Sequence, residues 1–115
     1  MTYIDRFVIP VAAKDRQKFI DHANHVDAVF KEFGAIRIVE CWEDDVPDGK
    51  VTDFRRSVAI GEGEAVAFSW IEWPDKETRN AAFDKITSDP RFAENPVPFD
   101  GKRMIFGGFT AVVDI

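Results

Sequence analysis

The stretch Ala65-Val-Ala-Phe-Ser-Trp-Ile-Glu-Trp73 is the part of the sequence that decides the fold. Its aromatic and β-branched residues predict a strand, in which alternate side chains point to opposite faces of the sheet. One face carries Ala65, Ala67, Ser69, Ile71 and Trp73, and the other carries Val66, Phe68, Trp70 and Glu72. In a sheet with one face in water, only one of the two sets of side chains is apolar. Here both sets are mostly apolar, so we expect both faces of the sheet to be covered.

Three further strands are predicted around this one. Residues 2–10, 35–42 and 103–115 are rich in aromatic and β-branched side chains, which favour strands. Pro10 is expected to limit the first strand, because proline has no N–H to donate to a neighbouring strand. Within the last strand, Gly107-Gly108 indicates a bulge or a close approach of two backbones.

Two helices are predicted between the strands. The first covers residues 15–33, with Asp15 as its N-cap and Gly34 at its end. The second starts after the N-cap Asp75 and ends before Pro90, which disfavours helical backbone at the residue before it. In the first helix an apolar stripe repeats with spacings of four and three residues, formed by Phe19, Ala23, Val26, Phe30 and Phe33.

The connecting segments are polar or rich in turn residues. Residues 44–49 and 61–63 have the composition of turns. We expect an irregular extended arm over 51–60 and a loop over 91–102.

The element order predicts an α+β protein with a ferredoxin-like βαββαβ arrangement in a single domain over residues 1–115. One antiparallel sheet would carry two helices on one face. Two helices cover only one face of a sheet, so the other apolar face needs a second copy of the chain. We therefore expect a homodimer that forms a dimeric α/β barrel, with an interface of about 1,600 Å² or more.

Composition excludes several classes of protein. The chain has 115 residues and a net charge of −6, which argues against binding to nucleic acid or to an anionic membrane. It has no run near the roughly 18 apolar residues of a membrane-spanning helix, and its first residues form no apolar leader. A single cysteine excludes an internal disulfide and fits a cytoplasmic location.

Three stretches resemble a known family. They are Val39-Glu-Cys-Trp-Glu-Asp-Asp-Val-Pro-Asp-Gly-Lys-Val-Thr52, Phe68-Ser-Trp-Ile71 and Pro98-Phe-Asp-Gly-Lys-Arg-Met-Ile-Phe-Gly-Gly-Phe109. In this order they resemble the YbaA-like family of small bacterial proteins, a domain of unknown function. The resemblance implies a ferredoxin-like chain of the dimeric α/β-barrel superfamily. That superfamily includes monooxygenases that need no cofactor, haem-degrading enzymes, isomerases and stress-response proteins. The resemblance implies no catalytic residues.

Two polar residues are candidates for a pocket. His22 lies at the edge of the helical apolar stripe, and its ordinary pKa suits acid or base work, whereas His25 turns away from the stripe. Glu40 lies on the strand face of Ile36, Ile38 and Trp42. If that face is buried, Glu40 is either a pocket carboxylate or one half of a structural ion pair. The candidate partners for such a pair are Arg6, Lys102 and Arg103.

Cys41 and Trp70 complete the set of pocket candidates. Cys41 is read either as a small buried hydrophobe or as a nucleophile. Trp70 is expected in the core or in a pocket wall, since the basic pattern of an RNA-binding sheet is absent. The acidic residues around 43–48 do not match the spacing of a calcium loop and are interpreted as a solvated turn. No metal site and no bound cofactor are therefore predicted.

The leading interpretation is a pocket between the sheet and its helices for a small apolar or aromatic ligand. Whether the protein is an enzyme stays open at this point. As an enzyme it would be similar to the monooxygenases that need no cofactor or to the isomerases. The alternative is a non-catalytic binding or stress-response dimer. The two interpretations separate on whether one cavity gathers titratable groups on an apolar wall.

Overall fold

The computed structural model describes residues 2–93 and 97–115. Its strands are β1 (Tyr3–Ala12), β2 (Arg37–Trp42), β3 (Glu64–Trp73) and β4 (Ile105–Thr110). Its helices are α1 (Arg16–Glu32), α2 (Phe54–Ser57), α3 (Lys76–Ile86) and α4 (Pro90–Ala93), and a 3-10 turn at Ala13–Asp15 leads into α1. The predicted α+β order of four strands and two main helices is confirmed.

The four strands form one antiparallel sheet in the order β2-β3-β1-β4. β1 and β3 are the two central strands, with Tyr3 opposite Trp73 and Ala12 opposite Glu64. The sheet of one chain stays open, with β2 and β4 at its edges. A closed barrel is therefore not a property of the single chain.

Both main helices cover the same face of the sheet. On β1 and β3 this helix-facing side carries the odd-numbered residues. α1 inserts Phe19 among Ile9, Val11 and Ala67. α3 packs Ala82 against Ile71 and Trp73 in a second cluster of buried residues. The even-numbered side chains of β1 and β3, among them Phe68 and Trp70, lie on the opposite side, here called the outer face.

Two glycines occupy positions that a residue with a side chain would not fit. Gly34 follows α1 with a φ of 113°, which a residue with a side chain rarely adopts, and it ends the helix as predicted. At Gly108 an added Cβ would collide with the ring of Tyr3. Gly108 therefore makes room for a side chain, the ring of Tyr3, rather than for the second backbone that the sequence indicated.

The structure corrects two predicted strand limits. β4 ends at Thr110 rather than at residue 115, because Thr110 lies opposite Tyr3, where its partner β1 begins. β1 continues past Pro10 to Ala12. Beyond Val8 that strand pairs with β3 alone, and proline is tolerated where a strand lacks a neighbour on one side.

Three predictions about segment ends and loops also change. The expected arm over 51–60 contains α2, whose N-cap Asp53 accepts a hydrogen bond from the backbone N–H of Arg56 at 2.7 Å. The expected loop over 91–102 overlaps α4, and its residues 94–96 lie outside the described chain. Asp15 precedes α1 but its side chain makes no cap bond. Asp75 caps α3 as predicted by accepting from the N–H of Thr78.

A buried carboxylate ties α3 to the sheet. Asp5 of β1 is 2% exposed and lies opposite Ile71. It accepts a hydrogen bond from Trp73 Nε1 at 2.8 Å and a forked pair from the Arg79 guanidinium, with Nη2 at 2.8 Å. The guanidinium in turn lies 4.5 Å from the ring centroid of Phe83. A buried charge paired in this way is costly to break, because its partner is then left alone in the core.

We expect Asp5→Ala to lower the free energy of unfolding by about 3–5 kcal/mol, since it strands the Arg79 charge and the Trp73 N–H. Urea unfolding followed by circular dichroism measures the loss. Asp84→Ala, on the exposed side of the same helix, should change it by about 0.5 kcal/mol or less. Equal small effects of both substitutions would contradict the structural role of Asp5.

Candidate functional site

A cavity of about 280 Å³ lies between α1 and the helix-facing side of the sheet. Residues from α4 and from the chain before β4 complete its rim. Most of its wall is apolar, formed by Phe7, Ile9, Phe19, Ala23, Val26, Phe30, Ile71, Phe92, Val97, Phe99 and Met104. Four polar side chains interrupt this wall, namely His22, Asp27, Glu40 and Ser69. The cavity therefore combines an apolar lining with a few converging polar groups, as small-molecule sites do.

Two carboxyl groups meet in the wall, and three elements bring them together. Asp27 comes from α1, one residue after the apolar stripe position Val26. Glu40 comes from β2, and the register places it opposite Ser69 of β3. The Asp27 and Ser69 side chains lie close enough to the Glu40 carboxyl for hydrogen bonding to affect its pKa. The facing helix and strand thus bring two acids into direct contact.

The pair holds one proton at neutral pH. Burial raises the pKa of Asp27 to about 6, although the hydrogen bond from Glu40 works against this. Burial also raises the pKa of Glu40 to about 8, and the charge and hydrogen bond of Asp27 raise it further, while Ser69 opposes the shift. Two acids in contact cannot both ionise cheaply. Between about pH 6 and about pH 8 a protonated Glu40 therefore donates to an ionised Asp27.

The pair also faces a groove on its other side. This groove, about 610 Å³ between α1 and β2, is lined by both acids and by Lys31 and Arg37. Glu40 counts as exposed, yet burial is the main cause of its raised pKa. These facts agree because the accessible surface of Glu40 lies inside two recesses, where protein atoms replace most of the surrounding water.

His22 lies in the cavity wall, as an edge-on neighbour of Phe99 with ring centroids 6.2 Å apart. Burial lowers the pKa of His22, and the charge of His25 lowers it further. The imidazole is therefore neutral at pH 7. It adds a polar edge to the cavity without adding a positive charge.

Cys41 and Trp70 lie outside the cavity, on the outer face of the sheet. Alternation along β2 and β3 turns them away from Glu40 and Ser69, which precede them by one position. Trp70 donates from Nε1 to Glu72 at 2.9 Å. Cys41 is a free thiol, half-buried beside the turn over 43–46. Of the four pocket candidates, the structure brings only His22 and Glu40 together.

The expected cationic partner of Glu40 is replaced by Asp27. Arg103 instead binds Glu64 at 2.6 Å and Asp100 at 2.8 Å. Arg6 lies over the ring of Trp70 on the outer face, 5.9 Å from its centroid. Asp27 is not among the residues that the sequence predicted for the pocket. One signal was present, since Asp27 continues the four-residue spacing of Phe19 and Ala23 along the buried side of α1.

Within residues 2–93 and 97–115, no three His, Cys, Asp or Glu side chains come close enough together to hold a metal ion. Nor does any helix there have the length and apolar character needed to cross a bilayer.

The outer face of the sheet exposes large apolar side chains. Ile105 is 46% exposed and Phe109 54% exposed on β4. Next to them on β1 lie Ile4 and Val8, which are half-buried. Neither main helix packs on this side, where only the short α2 covers part of the face by placing Phe54 against Phe68, with ring centroids 5.8 Å apart, among the described residues. The prediction of a second apolar face is thus confirmed for the single chain.

An open antiparallel sheet in the order β2-β3-β1-β4 with its helices on one face defines a ferredoxin-like α+β protein. A crystal structure of a dimeric ferredoxin-like protein from an uncultured marine organism is similar over 100% of both chains, with a TM-score of 0.62 and 12% identity. The family model described as "Protein of unknown function (DUF1428)" matches residues 2–101, and the chain belongs to this family.

Relatives at higher identity agree with this family. The "Uncharacterized protein YbaA" of Escherichia coli strain K12 is 55% identical over 116 residues, which cover 99% of each chain. The protein of the same name from Shigella flexneri has the same identity and coverage. The resemblance to the YbaA-like family that the sequence predicted is confirmed.

The carboxyl pair predicts a stability that depends on pH. Both acids have folded-state pKa values above their ordinary values, so the folded chain binds more protons than the unfolded chain between about pH 4 and pH 8. The pair's contribution to stability therefore falls as pH rises through this window. We expect the melting temperature of Glu40→Gln, relative to wild type, to increase steadily from pH 5 to pH 8.

The matched control is Glu62→Gln, which removes a carboxylate from the exposed turn before β3. Its melting temperature relative to wild type should stay constant over the same range. A constant difference for Glu40→Gln as well would show that Glu40 titrates as an ordinary solvated acid.

Proposed function

We propose that this protein is a homodimeric, isomerase-like enzyme that moves a proton within a small apolar or aromatic molecule. One observation carries the proposal: two neighbouring carboxyl groups, Asp27 and Glu40, lie in the wall of an apolar cavity, where burial raises the pKa of both. A raised pKa near the operating pH suits a group that must both give and take protons. Where the surroundings give two acids different pKa values, one acid serves as the proton donor and the other as the base.

The roles follow from the order in which the two acids ionise. Asp27 is the carboxylate at pH 7 and acts as the base that removes a proton from carbon. Glu40 is the protonated acid and gives its proton to the same molecule at another atom. The molecule loses one proton and gains one, so the reaction is balanced without an oxidant or a reductant. The pair ends with one proton and is restored by exchange between the acids or with water in the groove.

Two alternatives are supported less well. A non-catalytic binding dimer does not require titratable groups in its pocket, whereas this cavity gathers His22, Asp27 and Glu40 on an apolar wall. Oxygen insertion, as in the monooxygenases that need no cofactor, requires molecular oxygen and a substrate that supplies electrons. Proton transfer requires only the groups already in place, so it is the simpler assignment.

The dimer is supported by the apolar outer face and by the similar crystal structure, which is that of a dimeric ferredoxin-like protein. Pairing of two outer faces would bury Ile105 and Phe109 and leave both cavities accessible on the far sides of the sheets. A cytoplasmic location is proposed because the single cysteine of the chain is a free thiol. The net charge of −6 supports partners other than nucleic acid.

The activity is tested by proton exchange at carbon. We expect the protein in D₂O to accelerate deuterium uptake at the methyl group of 2-acetylnaphthalene, followed by loss of its proton NMR signal. The rate should be highest near pH 7 and fall below about pH 6 and above about pH 8, because one acid and one base are both needed. Glu40→Gln and Asp27→Asn should each lower the rate by about 100-fold or more.

Asp45→Asn serves as the control, because Asp45 is an exposed acid of the turn over 44–49. It should exchange at the wild-type rate. A rate in Glu40→Gln equal to that of wild type would contradict the proposed role of the pair.

The dimer is tested by sedimentation. At micromolar concentration the wild-type protein should sediment with twice the 13.1 kDa mass of one chain. Ile105→Lys should give the single-chain mass while keeping its circular dichroism spectrum, since it places a charge in the apolar interface. Val51→Lys, at a site 91% exposed and outside the sheet, should remain dimeric. A wild-type protein of single-chain mass would overturn the assembly.

A further inference from the structure

We propose that the cavity takes uncharged carbonyl compounds with an apolar or aromatic body and excludes carboxylates of the same shape. This inference rests on the proposed function and adds the charge and the functional group of the substrate. The positions of the charged side chains support this inference, since some line the cavity and others lie near the pair but outside the cavity.

The described lining of the cavity contains no lysine and no arginine. Its basic side chain is His22, which faces the cavity from α1. Burial holds the pKa of His22 below its ordinary value, so this imidazole is uncharged at pH 7. A bound anion would therefore find no positive charge in the described wall to replace the water it loses.

The cations near the pair lie on the other side of it. Lys31 from α1 and Arg37 from β2 line the groove, and neither lines the cavity. Lys31 Nζ is engaged with the carbonyl of Ile36 at 2.7 Å, and Arg37 is exposed. The neighbour from β3 is Ser69, which carries no charge. Among the described residues, no lysine or arginine thus reaches into the cavity to offset the charge of the pair.

The pair itself favours a neutral acceptor. At pH 7 it carries one negative charge and one proton, so a carboxylate in the cavity would add a second negative charge at short range. In a site of low polarity this repulsion is much stronger than in water. A carbonyl oxygen brings lone pairs without a net charge and can accept the proton of Glu40.

Two ligands of nearly identical shape test this inference: 2-acetylnaphthalene, which is neutral, and 2-naphthoate, which is anionic. Each places the same three-atom group on the same ring system. We expect backbone-amide NMR titrations of the full chain at pH 7 to show the ketone binding at least about tenfold more tightly than the carboxylate, which corresponds to about 1.4 kcal/mol.

Neutralising the pair should remove the discrimination. At pH 5, where both acids are protonated, the preference for the ketone over the carboxylate should shrink to about threefold or less. The double variant Asp27→Asn, Glu40→Gln should show the same small preference already at pH 7. Asp45→Asn should retain the wild-type preference, because its charge lies outside the cavity.

The outcomes separate this inference from the proposed function. Equal binding of ketone and carboxylate at pH 7 would overturn the inference and leave the cavity as a ligand site. Absence of binding by both ligands would overturn the proposed small-molecule site, and this inference with it. A preference for the ketone that survives in the double variant would show that the pair is not its cause.

Discussion

One proton shared by two carboxyl groups is the constraint on which the account of this protein depends. Asp27 and Glu40 lie on elements that the fold presses together, α1 and the edge strand β2, and the described chain brings no cation into the cavity to separate their charges. Burial and mutual repulsion leave the pair with a single proton near neutral pH. A site of this kind holds an acid and a base in contact, next to a cavity that an apolar molecule can enter.

The same sheet face shows a second way to bury a carboxyl group. Asp5 is matched by the Arg79 guanidinium and the Trp73 indole, and the result is a firm link between the sheet and α3. Glu40 is paired with another acid instead. Such a pair stabilises the fold less, but it can give and take a proton. Function at the cost of stability is typical of active sites. The arrangement therefore divides the helix-facing side of the sheet into a structural end beside α3 and a reactive part beside α1.

The sequence predicted the order of strands and helices along the chain, the two main helices and the second apolar face, because these follow from local periodicity. The alternation in β3 was enough to infer that one chain leaves an apolar surface uncovered. The sequence pattern could not identify Asp27 as the partner of Glu40, because the two residues are 13 positions apart. An acid beside an acid also contradicts the usual expectation of a salt bridge. Cys41 and Trp70 were misplaced because residue type suggested a pocket while the pleat of β2 and β3 points both side chains to the outer face. The ends of β1 and β4 depended on which neighbour was present, which no local pattern records.

The central claim is tested most directly by following the side-chain carboxyl carbons of Asp27 and Glu40 by ¹³C NMR from pH 3 to pH 10. The account predicts that Asp27 titrates near pH 6 and Glu40 near pH 8. It also predicts that Asp27→Asn lowers the pKa of Glu40 but leaves it above its ordinary value, since burial remains when the neighbouring charge is gone. If both carboxyl groups titrate at the ordinary values of solvated acids, and Asp27→Asn leaves Glu40 unchanged, the two acids are not coupled and the account is contradicted.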